Sequence, residues 1–210
     1  MSLKANVRPL NLLALPYITF FSTSLVGFLN TQMIFMLRDS NSFDVPEDKL
    51  GVVTAKVLLV AQLTTLTVQP IFGYFYDLFG RKWIVITSAL LLVGTLYFFP
   101  YTSPSIAWLN FVYTVGFMFR ALKDANPLLI DYIKSDSRGK ASGIRIFGVI
   151  IGEIFCQAVL IGLTAKKTFK TSFNIVASVL LVMIAPLFCM VKEPTKVSKE
   201  AKPIDKISMF

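Results

Sequence analysis

The chain has 210 residues, 55% hydrophobic and 16% charged, where a soluble globular domain carries roughly 25% charged residues. With a mean hydropathy of +0.67, most of its surface is not built to face water. The sequence has no His, and its two cysteines, Cys156 and Cys189, sit inside apolar runs. It therefore offers no metal-ligand spacing, no nucleophile and base arrangement and no disulfide framework. Neither an enzyme nor a metal or cofactor is expected. A net charge of +9 in a soluble chain would suggest nucleic acid, but these charges lie in short loops and at the ends, where membrane topology explains them.

A helix needs about 20 mostly apolar residues to cross a hydrocarbon layer about 30 Å thick. Six stretches meet or approach this, so the expected fold is all-α and polytopic, with six transmembrane helices. The first runs from Leu12 to Leu37, with Pro9 and Pro16 near its start, and ends at the polar stretch Arg38 to Lys49. It is too long for the apolar part of a signal peptide and lacks a small-residue cleavage site, so it is expected to stay in the mature protein. The second runs from Leu50 to about Tyr76, with Pro46 and Glu47 suited to its first turn. After the short link Asp77 to Lys82, the third spans Trp83 to Phe99 and stops at Pro100 and Pro104. The fourth covers Ile106 to about Ile133, the fifth Ala141 to Leu163, and the sixth Phe173 to Met190, ended by Glu193 and Pro194. Residues 1–194 thus read as one six-helix bundle, and 195–210 as a basic tail.

Six crossings place both termini on one side. That side carries Lys4, Arg8, Arg81, Lys82, Lys134, Arg138, Lys140 and lysines 192, 196, 199, 202 and 206, twelve in all. The other side has five: Arg38, Lys49, Lys166, Lys167 and Lys170. The positive-inside rule then puts the termini on the cytoplasmic side, or the matrix side of a mitochondrial inner membrane. The Lys166, Lys167, Lys170 cluster departs from the rule and reads either as a solvated face or as a contact for acidic lipid or protein. No Asn-x-Ser/Thr acceptor occurs, which favours an intracellular membrane, with the mitochondrial inner membrane as first expectation.

The link between the second and third helices reads Gly73-Tyr74-Phe75-Tyr76-Asp77-Leu78-Phe79-Gly80-Arg81-Lys82. Gly73 would let a neighbouring helix approach, and Gly80 permits a sharp turn. Asp77 stands where a carboxylate can accept backbone hydrogen bonds at the start of the next helix. This segment resembles the G-x-x-x-D-x-x-G-R-K/R signature of the major facilitator superfamily, in the expected place. A second segment, Asp131 to Gly143, is similar to the R-G-x-A-x-G element of that family's 4–5 loop, and Arg120 falls where members often carry an arginine in helix 4. The resemblance covers about residues 10 to 194 and implies half of a major-facilitator-type fold, closest to the N-terminal half. It further implies that Gly73, Asp77, Gly80, Arg81 and Lys82 form a gating loop. The fifth helix lacks the Gly-Pro pair of many antiporter-like members, so antiport is not implied, while Gly148 and Gly152 keep a spacing that allows close helix packing.

Ionisable residues at membrane depth face a bundle interior, a cavity or a partner. Arg120, Lys123 and Asp124 in the fourth helix, Glu153 in the fifth and Lys56 in the second are the candidates. They read either as a site for an anionic or zwitterionic solute, lined further by Asn30, Gln32, Gln62, Gln69 and Gln157, or as buried ion pairs of a structural bundle. Two functions follow. The chain is a structural or accessory subunit of a larger membrane complex, or a half-size secondary transporter of a small organic anion or zwitterion. The expected partners are membrane lipids, together with other integral membrane subunits or a second copy of the chain.

Overall fold

A computed structural model describes residues 7, 9–122 and 126–193. The elements among them are helical. A turn at Pro9–Leu12 leads into α1 (Ala14–Arg38), followed by α2 (Glu47–Phe79) and α3 (Arg81–Phe98), which continues as a 3-10 turn over Phe99–Thr102. Next come α4 (Ile106–Leu122), a short α5 (Asn126–Tyr132) and α6 (Arg138–Phe155). The latter runs through a π turn, Cys156–Leu160, into a last turn, Ile161–Thr164. The chain closes with α7 (Phe169–Val182) and α8 (Ala185–Met190).

Five segments are long and apolar enough to cross a membrane: Pro9–Arg38, Glu47–Tyr76, Arg81–Thr102, Ser135–Thr164 and Phe169–Met190. The sixth, Ile106–Leu122, is apolar but shorter. Of the fourth helix expected over 106–133, Ile106–Leu122 and Asn126–Tyr132 are helical, and residues 123–125 lie outside the description. The last crossing is α7 and α8 in series, with Pro186 opening the second piece. α2 starts three residues before the expected Leu50, at Glu47, because Pro46 supplies an extended N-cap.

Backbone contact between α1 and α6 organises the bundle. A Cβ built on Gly148 would lie 2.2 Å from the Pro16 carbonyl oxygen, and one on Gly152 would lie 2.7 Å from that of Phe20. Two hydroxyls bond across this seam. Thr19 Oγ1 donates to the Arg145 carbonyl at 3.0 Å and Ser24 Oγ to that of Gly152 at 3.2 Å. Small residues every fourth position let the helices meet at this range, where packing and interhelical hydrogen bonds replace the hydrophobic effect.

On the other flank α4 packs between α2 and α3, and α3 packs on α7. The core there is aromatic. Phe99 stacks on Phe173 with centroids 5.3 Å apart, and Phe28 meets Phe173 edge-on at 5.3 Å. α2 and α6 contribute least to this interior. Only 11% and 22% of their membrane-length windows are buried, against 61% for α3, so both turn apolar surface towards lipid or another bundle.

Candidate functional site

α1, α2, α4 and α6 enclose a cavity of about 450 Å³. α1 supplies Thr19, Ser22 and Thr23, and α2 supplies Gln62, Thr65 and Gln69 at helical spacing on one face. α4 adds Phe117 and Arg120, and α6 adds Arg145 and Val149. Among the described residues no carboxylate lines this space, and two guanidinium groups do. The Arg120 guanidinium lies over the Phe117 ring, 5.1 Å from the centroid, an arrangement that steadies a cation without neutralising it. Thr65 Oγ1 is buried on the wall with no hydrogen-bond partner among the described residues. Such an orphan is costly unless a water or a bound solute satisfies it. Nearby, Tyr113 Oη donates to Asn30 Oδ1 at 2.6 Å and ties α4 to α1.

The predicted residues distribute unevenly about this cavity. Arg120, Gln62 and Gln69 line it. Asn30 is held by Tyr113, Gln32 is buried, and Gln157 is exposed in the π turn. Glu153 and Lys56 are exposed, lie outside the lining and make no ion pair among the described residues. The buried pairing expected of them is therefore not formed among the described residues, where both side chains are exposed. Lys123 and Asp124 lie outside the described residues.

A second constellation surrounds the α2–α3 turn. Gly80 has φ +83°, and a Cβ there would sit 2.8 Å from Glu193 Oε1, so both conformation and space require glycine. The Glu193 carboxylate accepts the backbone N–H of Arg81 at 2.9 Å and of Lys82 at 2.8 Å, filling two vacant donors of the α3 N-terminus. This is the role expected of Asp77, whose side chain lies outside the description. Arg81 forms an ion pair with Asp131, their side chains 24% and 17% exposed. Tyr132 Oη donates to the Lys192 carbonyl at 2.6 Å and accepts the Lys192 N–H at 2.9 Å. Thus the start of α3, the end of α5 and the segment after α8 are tied together. Gly73 departs from expectation, since nothing lies within 4 Å of its Cβ position. Its small size serves no contact among the described residues. Glu193→Ala is expected to cost about 1 kcal/mol by uncovering the α3 amides, read as a lower unfolding temperature in detergent, with Glu193→Gln recovering part of the loss.

The sequence profile of the Major Facilitator Superfamily matches residues 15–208. The chain belongs to this superfamily. AmpG 1 of Rickettsia conorii, a candidate transporter by name, is 29% identical over 125 residues, covering 57% of this chain and 30% of that protein. The multi-drug resistance efflux pump PmrA of Streptococcus pneumoniae is 23% identical over 197 residues, covering 92% of this chain and 49% of the pump, in each of two strains. The chain therefore spans about half the length, or less, of the curated relatives it matches.

As a major facilitator member the chain is a multi-pass integral membrane protein, and three of its site residues escaped the sequence reading. Arg145 carried a usable signal, a cation two turns inside a membrane-length helix. Asp131 and Glu193 carried none, because their partners are distant in sequence and only the fold brings them to Arg81 and Lys82.

Proposed function

We propose that this chain is one half of a transporter for a small organic anion. The observation that carries the reading is the pairing of Arg120 and Arg145 on two different helices of a cavity that no described carboxylate lines. Charged groups retained at membrane depth mark substrate pathways, and two guanidinium groups on one cavity suit an oppositely charged solute. The orphan hydroxyl of Thr65 and the amides of Gln62 and Gln69 supply the polar contacts that fix such a solute's orientation. A purely structural subunit has no use for an open cavity lined by two cations, which weighs against that expectation.

Transport in this fold needs a second half, against which the first rocks to expose the cavity alternately to each side. The exposed α2 and α6 are the surfaces available to it. The turn latch of Gly80, Arg81, Asp131 and Glu193 is positioned to bias that rocking, because it links the ends of four helices at one membrane face. To test the function, the purified chain is screened by thermal unfolding against small carboxylates, phosphates and sulfonates, beside neutral and cationic solutes of similar size. Stabilisation by anions alone, followed by anion uptake into proteoliposomes that contain both halves, is the expected result. Stabilisation by cations alone sinks the reading.

The orientation follows from the twelve-to-five division of basic residues. A cysteine introduced at Ser135 is expected to react from the cytoplasmic or matrix side, and one at Ser42 from the opposite side. The native cysteines are first replaced by serine, and a membrane-impermeant maleimide reports each position.

A further inference from the structure

We propose that the end of the bundle where α1 stops and α7 begins holds a seat for an aminophospholipid headgroup. A cavity of about 550 Å³ opens there between the α1–α2 link, the 3-10 turn after α3 and the start of α7. Its walls differ from those of the solute cavity. That cavity draws on α1, α2, α4 and α6, whereas this one draws on the end of α1, the α1–α2 link, the 3-10 turn after α3 and the start of α7. The two share no lining residue. It also sits where the membrane-length segments Arg81–Thr102 and Phe169–Met190 end and begin, which is headgroup depth.

The chemistry of the walls selects the ligand. Lys167 and Lys170 line the cavity, and the Lys170 ammonium stands over the Tyr101 ring, 5.3 Å from its centroid. Tyrosine beside lysine at the end of a spanning helix is the interfacial arrangement that meets a lipid phosphate. These lysines lie on the side that topology leaves poor in basic residues, so orientation does not account for them. Asp39 lines the same cavity and supplies one carboxylate. A phosphate held by two ammonium groups, with an amine directed to a carboxylate, describes a phosphoethanolamine-type headgroup. A choline nitrogen has no N–H to donate, and a glycerol headgroup has no amine.

The wall that carries Asp39 is also fixed in place before any ligand arrives. Ser103 Oγ donates to the Ser42 carbonyl at 2.7 Å, joining the end of α3 to the α1–α2 link. Ser42 Oγ in turn donates to Asp39 Oδ2 at 2.9 Å. A seat built in this way gives up little ordering entropy on binding.

The test is native mass spectrometry of the full chain in detergent, titrated with phosphatidylethanolamine, phosphatidylglycerol and phosphatidylcholine. Phosphatidylethanolamine is expected to be retained most tightly and phosphatidylcholine least. Each lysine near a lipid phosphate is worth about fivefold in affinity, so Lys167→Gln with Lys170→Gln weakens retention about thirtyfold. Asp39→Asn removes the preference for phosphatidylethanolamine over phosphatidylglycerol while keeping the phosphate contact. Lys166→Gln is the control for diffuse charge, because Lys166 is adjacent but does not line the cavity, and it is expected to leave retention unchanged. Equal retention of all three lipids, an equal loss in Lys166→Gln, or displacement by soluble phosphoethanolamine at lipid-like concentration each overturns the lipid seat. The last outcome would assign the pocket to a water-soluble ligand.

Discussion

Gly148→Val abolishes the folded bundle, while Gly143→Ala, five residues away on the same helix, leaves it intact or slightly more stable. At Gly148 the first added carbon falls 2.2 Å from the Pro16 carbonyl oxygen and 2.5 Å from Thr19 Oγ1. The nearer atom is backbone, so no side-chain rotation relieves the clash. The helices must separate, and separation breaks the Thr19 bond to the Arg145 carbonyl and the Ser24 bond to the Gly152 carbonyl. Overpacking at a contact that cannot yield costs about 3 kcal/mol or more, a large fraction of a typical domain's stability. At Gly143 nothing lies within 4 Å of the Cβ position, and alanine there gains roughly 1 kcal/mol in helix propensity. The pair is measured by size-exclusion profile and thermal unfolding in mild detergent. A monodisperse Gly148→Val with the parental unfolding temperature would show that α1 and α6 do not cross here. Gly148→Ala adds that same first carbon and is expected to part the two helices as well.

What the sequence disclosed and what it hid divide along a physical line. Membrane-length apolar runs depend on local composition, and five such segments stand among the described residues. The turn at Gly80 was legible because a positive φ demands a particular residue at a particular place. The Gly148 and Gly152 spacing was legible for a related reason, since periodicity alone puts both on one face. The division of the last crossing into α7 and α8 was not, because an apolar run over 173–190 outweighs a single Pro186 in any composition argument. Asp77 was a reasonable candidate to cap α3, being three residues from Gly80, yet Glu193 takes the amides of Arg81 and Lys82 from 112 and 111 residues away. Glu153 and Lys56 drew attention as charges at depth, but depth says nothing of the face, and the fold leaves both on open surfaces. Arg145 illustrates the converse, since it gained meaning only when Arg120 proved to share its cavity.

Arg145→Gln and Arg120→Gln are each expected to weaken anion binding by about ten- to a hundredfold, the factor that accompanies loss of a hydrogen bond to a charged group. The two losses are not additive. Both guanidinium groups face one cavity, so a single solute couples them, and the double variant falls less than the product of the singles. Lysine substitutions then separate charge from geometry. A lysine restores the positive charge but lacks the planar fork that meets a carboxylate or phosphate with two parallel bonds. At a position that grips the solute in this way it recovers only part of the affinity. Glu153→Gln and Lys56→Gln provide the contrast, because both residues are exposed and outside the lining, and each is expected to leave binding of the same anion unchanged. The measurement is the concentration dependence of anion-induced stabilisation, with the unfolding temperature of each ligand-free variant as the check that the bundle survives. If Glu153→Gln abolishes binding while Arg145→Gln does not, the solute lies further along α6 than the arginine cavity, and the assignment of Arg120 and Arg145 as its anion-binding pair falls.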